Sequence, residues 1–261
     1  MSSDRWKQVP GNVLRGAAIG TVEVIPGVSG GTVALVVGIY ERLIAAGGHL
    51  ARAVARLVSD LPRRRGAARA RAEIVQIEWP LIAAVLAGMM LALLTAAQVL
   101  PPLIEEHPIG ARALFLGMVA ASVAVPILAV GGLKGAGEWA LVAGAAVLAW
   151  LVTGLPTADG GAPAPAVVAL AAAVAVCALV LPGLSGSFLL LLFGLYEPTL
   201  QAVSDRDLTY VAVFATGAIL GLGLFVTLLQ WMLDRHRRIV LPVLAGLMIG
   251  SMRVLWPWQD A

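Results

Sequence analysis

The sequence predicts an all-α polytopic membrane protein. Two inverted-topology repeats are expected, each with a re-entrant broken-helix hairpin, and about five full transmembrane helices besides the hairpins. Three observations predict this: the composition, a duplicated interruption in two apolar segments, and the placement of the arginines. Of 261 residues, 60% are hydrophobic and 13% are charged. A soluble domain of this length carries about a quarter charged residues. That balance excludes a soluble enzyme, a disordered chain and a nucleic-acid binder. The basic character has a local source, because eight arginines lie between Arg42 and Arg71. One cysteine, Cys177, excludes a disulfide framework and a cysteine zinc site. Residues 1–11 are polar and lack the apolar core of a signal peptide, so the first apolar segment is expected to stay in the chain.

A spanning helix needs about 20 apolar residues. The segments 79–100, 111–131, 138–155, 208–231 and 239–256 meet or approach that length. Two other apolar regions are interrupted. Residues 12–46 contain Pro26-Gly27-Val28-Ser29-Gly30-Gly31, and residues 165–203 contain Pro182-Gly183-Leu184-Ser185-Gly186-Ser187. Proline lacks an amide donor and glycine loosens the backbone, so neither helix is expected to run straight through.

The interruptions are copies of one another. PGVSGGTVALVVGIYE (Pro26 to Glu41) and PGLSGSFLLLLFGLYE (Pro182 to Glu197) share eight of sixteen residues at an offset of 156. A weaker match at an offset of 129 pairs Gly88 with Gly217, His107 with His236, Gly117 with Gly246 and Ser122 with Ser251. The chain therefore reads as a single membrane domain, 1–261, holding two copies of one unit. The copies cover about 12–131 and 165–256, with a linking helix at about 138–155.

Arginine and lysine collect in cytoplasmic loops. Arg5, Lys7 and Arg15 precede the first broken region, and the eight-arginine segment 42–77 follows it. Both flanks are expected inside, so the region enters and leaves on one side. The loop 101–110 with Glu105 and Glu106, the loop 156–164 and the loop 197–207 are expected outside. Lys134 and the cluster Arg235, Arg237 and Arg238 are expected inside. This places 15 of the 18 basic residues in the cytoplasm, with Arg112, Arg206 and Arg253 outside. The two copies then have opposite orientations, a plan found in transporters.

Each hairpin is expected to hold a short second helix of about ten residues, long enough to cross half the hydrocarbon. Its N-terminus would lie near the midplane, where free amides and the positive dipole end favour an anion. The residues there are Ser29, Gly30, Gly31 and Thr32 in the first copy, and Ser185, Gly186 and Ser187 in the second. Such blocks also occur as kinks that aid close packing, but their duplication favours a binding site between the repeats. Glu23 precedes the first block, where the second copy has Leu179. It reads as a coupling group for a proton or cation, or as a carboxylate bonded to tip amides. Glu41 and Glu197 follow Tyr40 and Tyr196 and are expected near the C-terminal ends of the short helices. They read as gating groups, or as interfacial residues beside a tyrosine anchor. Arg112 and Arg253 either guide an anionic headgroup or snorkel to the interface. His107 and His236 lie in loops expected on opposite faces, so no metal site follows. The arginine segment is expected to meet anionic lipid heads, with an amphipathic surface helix near 48–58.

The segment GTVEVIPGVSGGTVALVVGIYERLI (Gly20 to Ile44), together with LPGLSGSFLLLLFGLYE (Leu181 to Glu197), resembles the bacterial polyprenyl-phosphate transporter family over nearly the whole chain. The resemblance implies a non-enzymatic inner-membrane protein that returns undecaprenyl phosphate, the carrier lipid of envelope glycans including peptidoglycan, to the inner leaflet. Polyprenyl phosphate and membrane lipids are the implied partners, with a coupling proton or cation, no cofactor and no nucleic acid. The N-terminus would be cytoplasmic and the C-terminus external. A second resemblance is to undecaprenyl-pyrophosphate phosphatases, which carry a Pro-Gly-x-Ser-Arg-Ser-Gly block. Gly30 and Gly186 stand in that arginine's place here, which removes the cation needed for phosphoryl transfer. A small-anion carrier of similar plan remains a third reading.

Overall fold

The computed structural model describes residues 8–23, 29–60, 62–63, 66–155 and 164–258. Arg5, Lys7, the Pro26-Gly27-Val28 turn, Arg64, Arg65 and most of the expected loop 156–164 lie outside the described residues. The described residues form helices, turns and no strand.

In chain order the helices are α1 (Val9–Glu23), α2 (Gly30–Val36), α3 (Tyr40–Asp60), α4 (Ala68–Ile74), α5 (Trp79–Glu106), α6 (Pro108–Ser122) and α7 (Ala124–Ala129). They continue with α8 (Ala136–Val152), α9 (Pro165–Val180), α10 (Gly186–Leu192), α11 (Tyr196–Ser204), α12 (Leu208–Arg235), α13 (Arg237–Ser251) and a 3-10 turn, Met252–Leu255. Trp79–Glu106, Pro108–Ala129, Leu208–Arg235 and Arg237–Leu255 are long and apolar enough to cross a membrane. Two bent pairs join them: α2 with α3 turns through 119°, and α10 with α11 through 103°. The protein is a multi-pass membrane protein.

Element bounds recur at the two sequence offsets. α2 and α10 are seven residues each, begin 156 residues apart, and are followed by Gly38 (φ 74°) and Gly194 (φ 66°). α5 and α12 are 28 residues each and begin 129 residues apart, as do the 15-residue α6 and α13. Each short helix ends where a glycine adopts a left-handed conformation that other residues resist. A second bend follows, so the short helices have seven residues and not the expected ten. The expected loop 101–110 is also absent. α5 runs through Pro101 and Pro102 to Glu106, and only His107 separates it from α6.

Two compact units divide the chain. The first contains residues 1–25, 33–106 and 223–236, and the second contains 26–32, 107–222 and 237–261. In the first, α1 packs on α5 through bare backbone. An added Cβ at Gly88 would strike the Val13 carbonyl, and one at Gly16 would strike that of Val85. In the second, α9 meets α12 in the same way, with Gly217 against the Ala169 carbonyl. Val13 and Ala169 differ by 156 and Gly88 and Gly217 by 129, so both copies use one crossing. Lipid supplies no hydrophobic drive between helices, and close backbone approach supplies the attraction instead. α13 packs on α8 by the same device, with Gly246 against Val142 and Gly250 against Ala146.

The arginine segment is ordered through much of its length. Glu73 on α4 is 5% exposed and gathers three basic side chains from α3. His49 Nδ1 lies 2.6 Å from its Oε2, Arg52 Nε lies 3.3 Å from Oε2, and Arg56 Nη2 lies 2.7 Å from Oε1. Arg52 also donates to Gln230 Oε1 on α12 at 2.8 Å. The spacing 49, 52, 56 puts the three on one helix face. Nearby, Arg69 pairs with the buried Asp60 at 3.1 Å.

Two predictions follow from this packing. Gly88→Leu and Gly217→Leu should each lose about 1–3 kcal/mol of stability. Gly117→Leu, where an added Cβ meets nothing within 4 Å, should be neutral. Thermal unfolding in detergent checks both. The His49 contact, followed by Arg52 and Arg56, holds the Glu73 carboxyl below its ordinary range. A depressed carboxyl contributes its full stability above the unfolded pKa of about 4.3, and loses it as pH falls through the lower folded value. Amide protection factors in Ala68–Ile74 should therefore hold from neutral pH to about pH 5 and fall only as the pH drops below the ordinary carboxyl value of about 4.3. Glu73→Gln should lower them at neutral pH.

Candidate functional site

The duplicated tips meet. Residues 29–32 of the first belong to the same compact unit as the whole second tip. Ser29 is 4% exposed and Thr32 is 2% exposed. The Ser29 hydroxyl donates toward the Leu181 carbonyl at 3.4 Å and the Leu179 carbonyl at 3.5 Å, and it accepts from the Gly31 amide at 3.2 Å. The Gly183 amide donates to Thr32 Oγ1 at 3.0 Å. An added Cβ at Gly31 would lie 2.8 Å from the Val180 carbonyl. The N-terminus of α2 is thus set against the C-terminal carbonyls of α9. Positive and negative dipole ends face one another, and the Leu179 and Leu181 carbonyls and the Gly31 amide find a partner in the Ser29 hydroxyl.

This corrects the expectation that both tips present open donors. Ser29 and Thr32 are committed to holding the second tip. The second tip itself is more open. Ser185 is half-buried, Ser187 is exposed, and their hydroxyl oxygens lie 2.8 Å apart. Ser185 caps α10 by accepting from the Phe188 amide at 3.4 Å. Gly186 is buried, and an added Cβ there would lie 2.6 Å from the Ala175 carbonyl. Gly183, at φ 89°, turns the chain beneath Met248, whose Cα would lie 2.7 Å from an added Cβ.

The other expected residues fall elsewhere. Glu23 closes α1 with its side chain exposed. Glu41 and Glu197 are not at helix C-termini. They stand in the first turns of α3 and α11, where the dipole favours a carboxylate. Tyr40 is 3% exposed and so is no interfacial anchor, whereas Tyr196 is exposed. Arg112 lies on α6 and Arg253 on the 3-10 turn. The Arg253 guanidinium sits 4.4 Å from the Trp150 ring centroid and donates to the Trp150 carbonyl at 3.2 Å. Sequence reasoning missed Trp150 and Gly154 as its supports, since nothing in an apolar helix marks which tryptophan meets a distant arginine. Among the described residues, no group of three or more His, Cys, Asp or Glu side chains is placed to hold a metal ion.

The family described as undecaprenyl phosphate translocase-like matches residues 19–261. The chain belongs to this family. A polyprenyl-phosphate transporter of Vibrio cholerae serotype O1 is 34% identical over 247 residues, which cover 95% of this chain and 77% of the relative. A polyprenyl-phosphate transporter of Staphylococcus aureus is 27% identical over 267 residues, covering 94% of this chain and 86% of the relative. No solved structure matches the chain. The family match spans both tips and every helix from α2 onward.

The tip geometry separates two kinds of hydroxyl side chain. Thr32→Val should leave the Gly183 amide without its partner and cost about 1–3 kcal/mol. Ser185→Ala, at a half-buried site, should cost well under half of that. Thermal unfolding of the two variants side by side checks the difference.

Proposed function

We propose that the protein moves polyprenyl phosphate between the leaflets of a bacterial cytoplasmic membrane, holding the phosphate at the joined tips near the midplane. The observation that carries this reading is the junction of two copied motifs about 150 residues apart, with the Ser185 and Ser187 hydroxyls on its open side. The substrate follows from the family and from the names of the two relatives. A phosphate monoester suits paired hydroxyls at a helix start, and the long apolar tail stays in the bilayer while the head crosses. The N-terminus is placed inside and the C-terminus outside on the arginine distribution. The two copies then run in opposite directions, and rocking of one against the other exposes the head to each side in turn. Glu23 is the proposed coupling group for a proton or cation. Glu41 and Glu197 are accounted for by their helix starts and receive no gating role.

Hydrolysis is disfavoured at the same place. A phosphatase of the resembling kind needs an arginine within the block, and the backbone at Gly186 leaves no room for any side chain. The function served is carrier-lipid recycling without chemistry.

Reconstitution into liposomes tests the reading. Undecaprenyl phosphate should exchange between leaflets, and undecaprenyl pyrophosphate should release no phosphate. Phosphate release would identify an enzyme, and ion flux without lipid movement an ion carrier. Ser185→Ala combined with Ser187→Ala should weaken polyprenyl-phosphate binding about tenfold, the loss of roughly 1.4 kcal/mol from two hydrogen bonds. Glu23→Gln should flatten the pH dependence of exchange. An unaltered profile removes Glu23 from coupling.

A further inference from the structure

Arg253 lines a groove of the second unit. The 3-10 turn Met252–Leu255 packs on α6, and these elements, the end of α8 and Phe188 of α10 line this open groove of about 870 Å³. The walls are apolar, with Leu116, Ala120, Trp150, Phe188 and Trp256 among them. Arg253 is the charged residue of the lining, and it is fixed in place. Its guanidinium lies on the Trp150 ring and bonds the Trp150 carbonyl, and Gly154 makes its room, since an added Cβ there would strike Nη1. Arg112, Leu116 and Ala120 follow the i, i+4, i+8 spacing, so Arg112 continues the α6 wall by one turn. Phe188 directly follows Ser187 of the open tip.

We propose that this groove is a lateral waiting site for a single-chain lipid with a phosphate head, a phosphorylated isoprenoid alcohol. The head rests on Arg253, and the first isoprene units lie along Leu116, Phe188 and Trp256. A fixed guanidinium selects an oxyanion, and one trough with aromatic walls accepts one chain where a phospholipid brings two. The volume holds a head and the start of a tail, and the remainder stays in the bilayer. This deepens the transport reading, on which it rests, by naming where the lipid is captured before it reaches Ser187.

The test uses the full chain in phosphatidylcholine nanodiscs with a photoreactive short-chain polyprenyl phosphate. Cross-links should map to peptides carrying Leu116, Phe188 or Trp256. Unlabelled polyprenyl phosphate should compete, whereas polyprenol, phosphatidylglycerol and inorganic phosphate should compete at least tenfold less well. Arg253→Ala should cut labelling about tenfold, Arg253→Lys should retain part of it, and Gly154→Leu should reproduce the Ala loss by displacing the guanidinium. Labelling of Arg253→Ala at the wild-type level, cross-links confined to other helices, or equal competition by any of the other three compounds would overturn the proposal. Leaflet exchange measured on the same samples separates the two readings. Groove labelling without exchange sustains the site and defeats transport, while exchange with labelling elsewhere defeats the site alone.

Discussion

The hydrogen bonds that join the two tips are the constraint on which the rest of the structure depends. A helix broken inside a membrane exposes amides and carbonyls that lipid cannot satisfy, and each such group costs several kcal/mol if left alone. Here described groups of one break meet partners on the other. The start of α2 meets the end of α9, Ser29 supplies a donor to the Leu181 carbonyl, and Thr32 supplies an acceptor to the Gly183 amide. Neither interruption has these partners without the other. That is a physical reason for the motif to occur twice in one chain, independent of any ligand.

Within each unit, a close helix crossing fixes one of the helices that precede the breaks. α1 against α5 and α9 against α12 are bare-backbone contacts at matching positions, Gly88 with Val13 and Gly217 with Ala169. A glycine crossing leaves little freedom to slide, because each carbonyl occupies the space that a methyl group would fill. The helices that precede the tips are thereby fixed along their length. Outside the spans a different interaction does the corresponding job. The carboxylate of Glu73 gathers His49, Arg52 and Arg56, and so fastens α4 to α3.

Much of this was legible in the residues, for identifiable reasons. Apolar length locates the long helices, and the Pro-Gly blocks locate the breaks. The second bends at Gly38 and Gly194 were written in the same repeated motif, in the glycine two residues before each tyrosine, but a glycine does not announce a positive φ from sequence alone. The loop expected at 101–110 failed because Glu105 and Glu106 were read as loop residues, whereas α5 carries them, and Pro101 and Pro102 before them, within its last turns. Glu73 was invisible as an organising residue. Its three partners stand on another helix, and only their 49, 52, 56 spacing hinted at a common face. A serine's role at the tips, as donor to a ligand or to a neighbouring carbonyl, depends on what packs against it, which sequence does not specify.

The two copies share a motif and differ where their environments differ. Ser29 corresponds to Ser185, yet one serine is buried against α9 and the other is half-exposed. Gly31 corresponds to Ser187, and its bare α-carbon is what lets the first tip close to the Val180 carbonyl. A serine there would bring its Cβ to within 2.8 Å of that oxygen. Thr32 corresponds to Phe188, and the pair divides the labour, since Thr32 accepts the Gly183 amide while Phe188 walls the groove beside Arg253. The residues that differ between the copies thus accompany one buried tip and one accessible tip. A carrier with two equivalent tips would need both to open toward ligand in turn. In this chain the first tip is closed by Ser29, Gly31 and Thr32, while Ser187 stays exposed on the second.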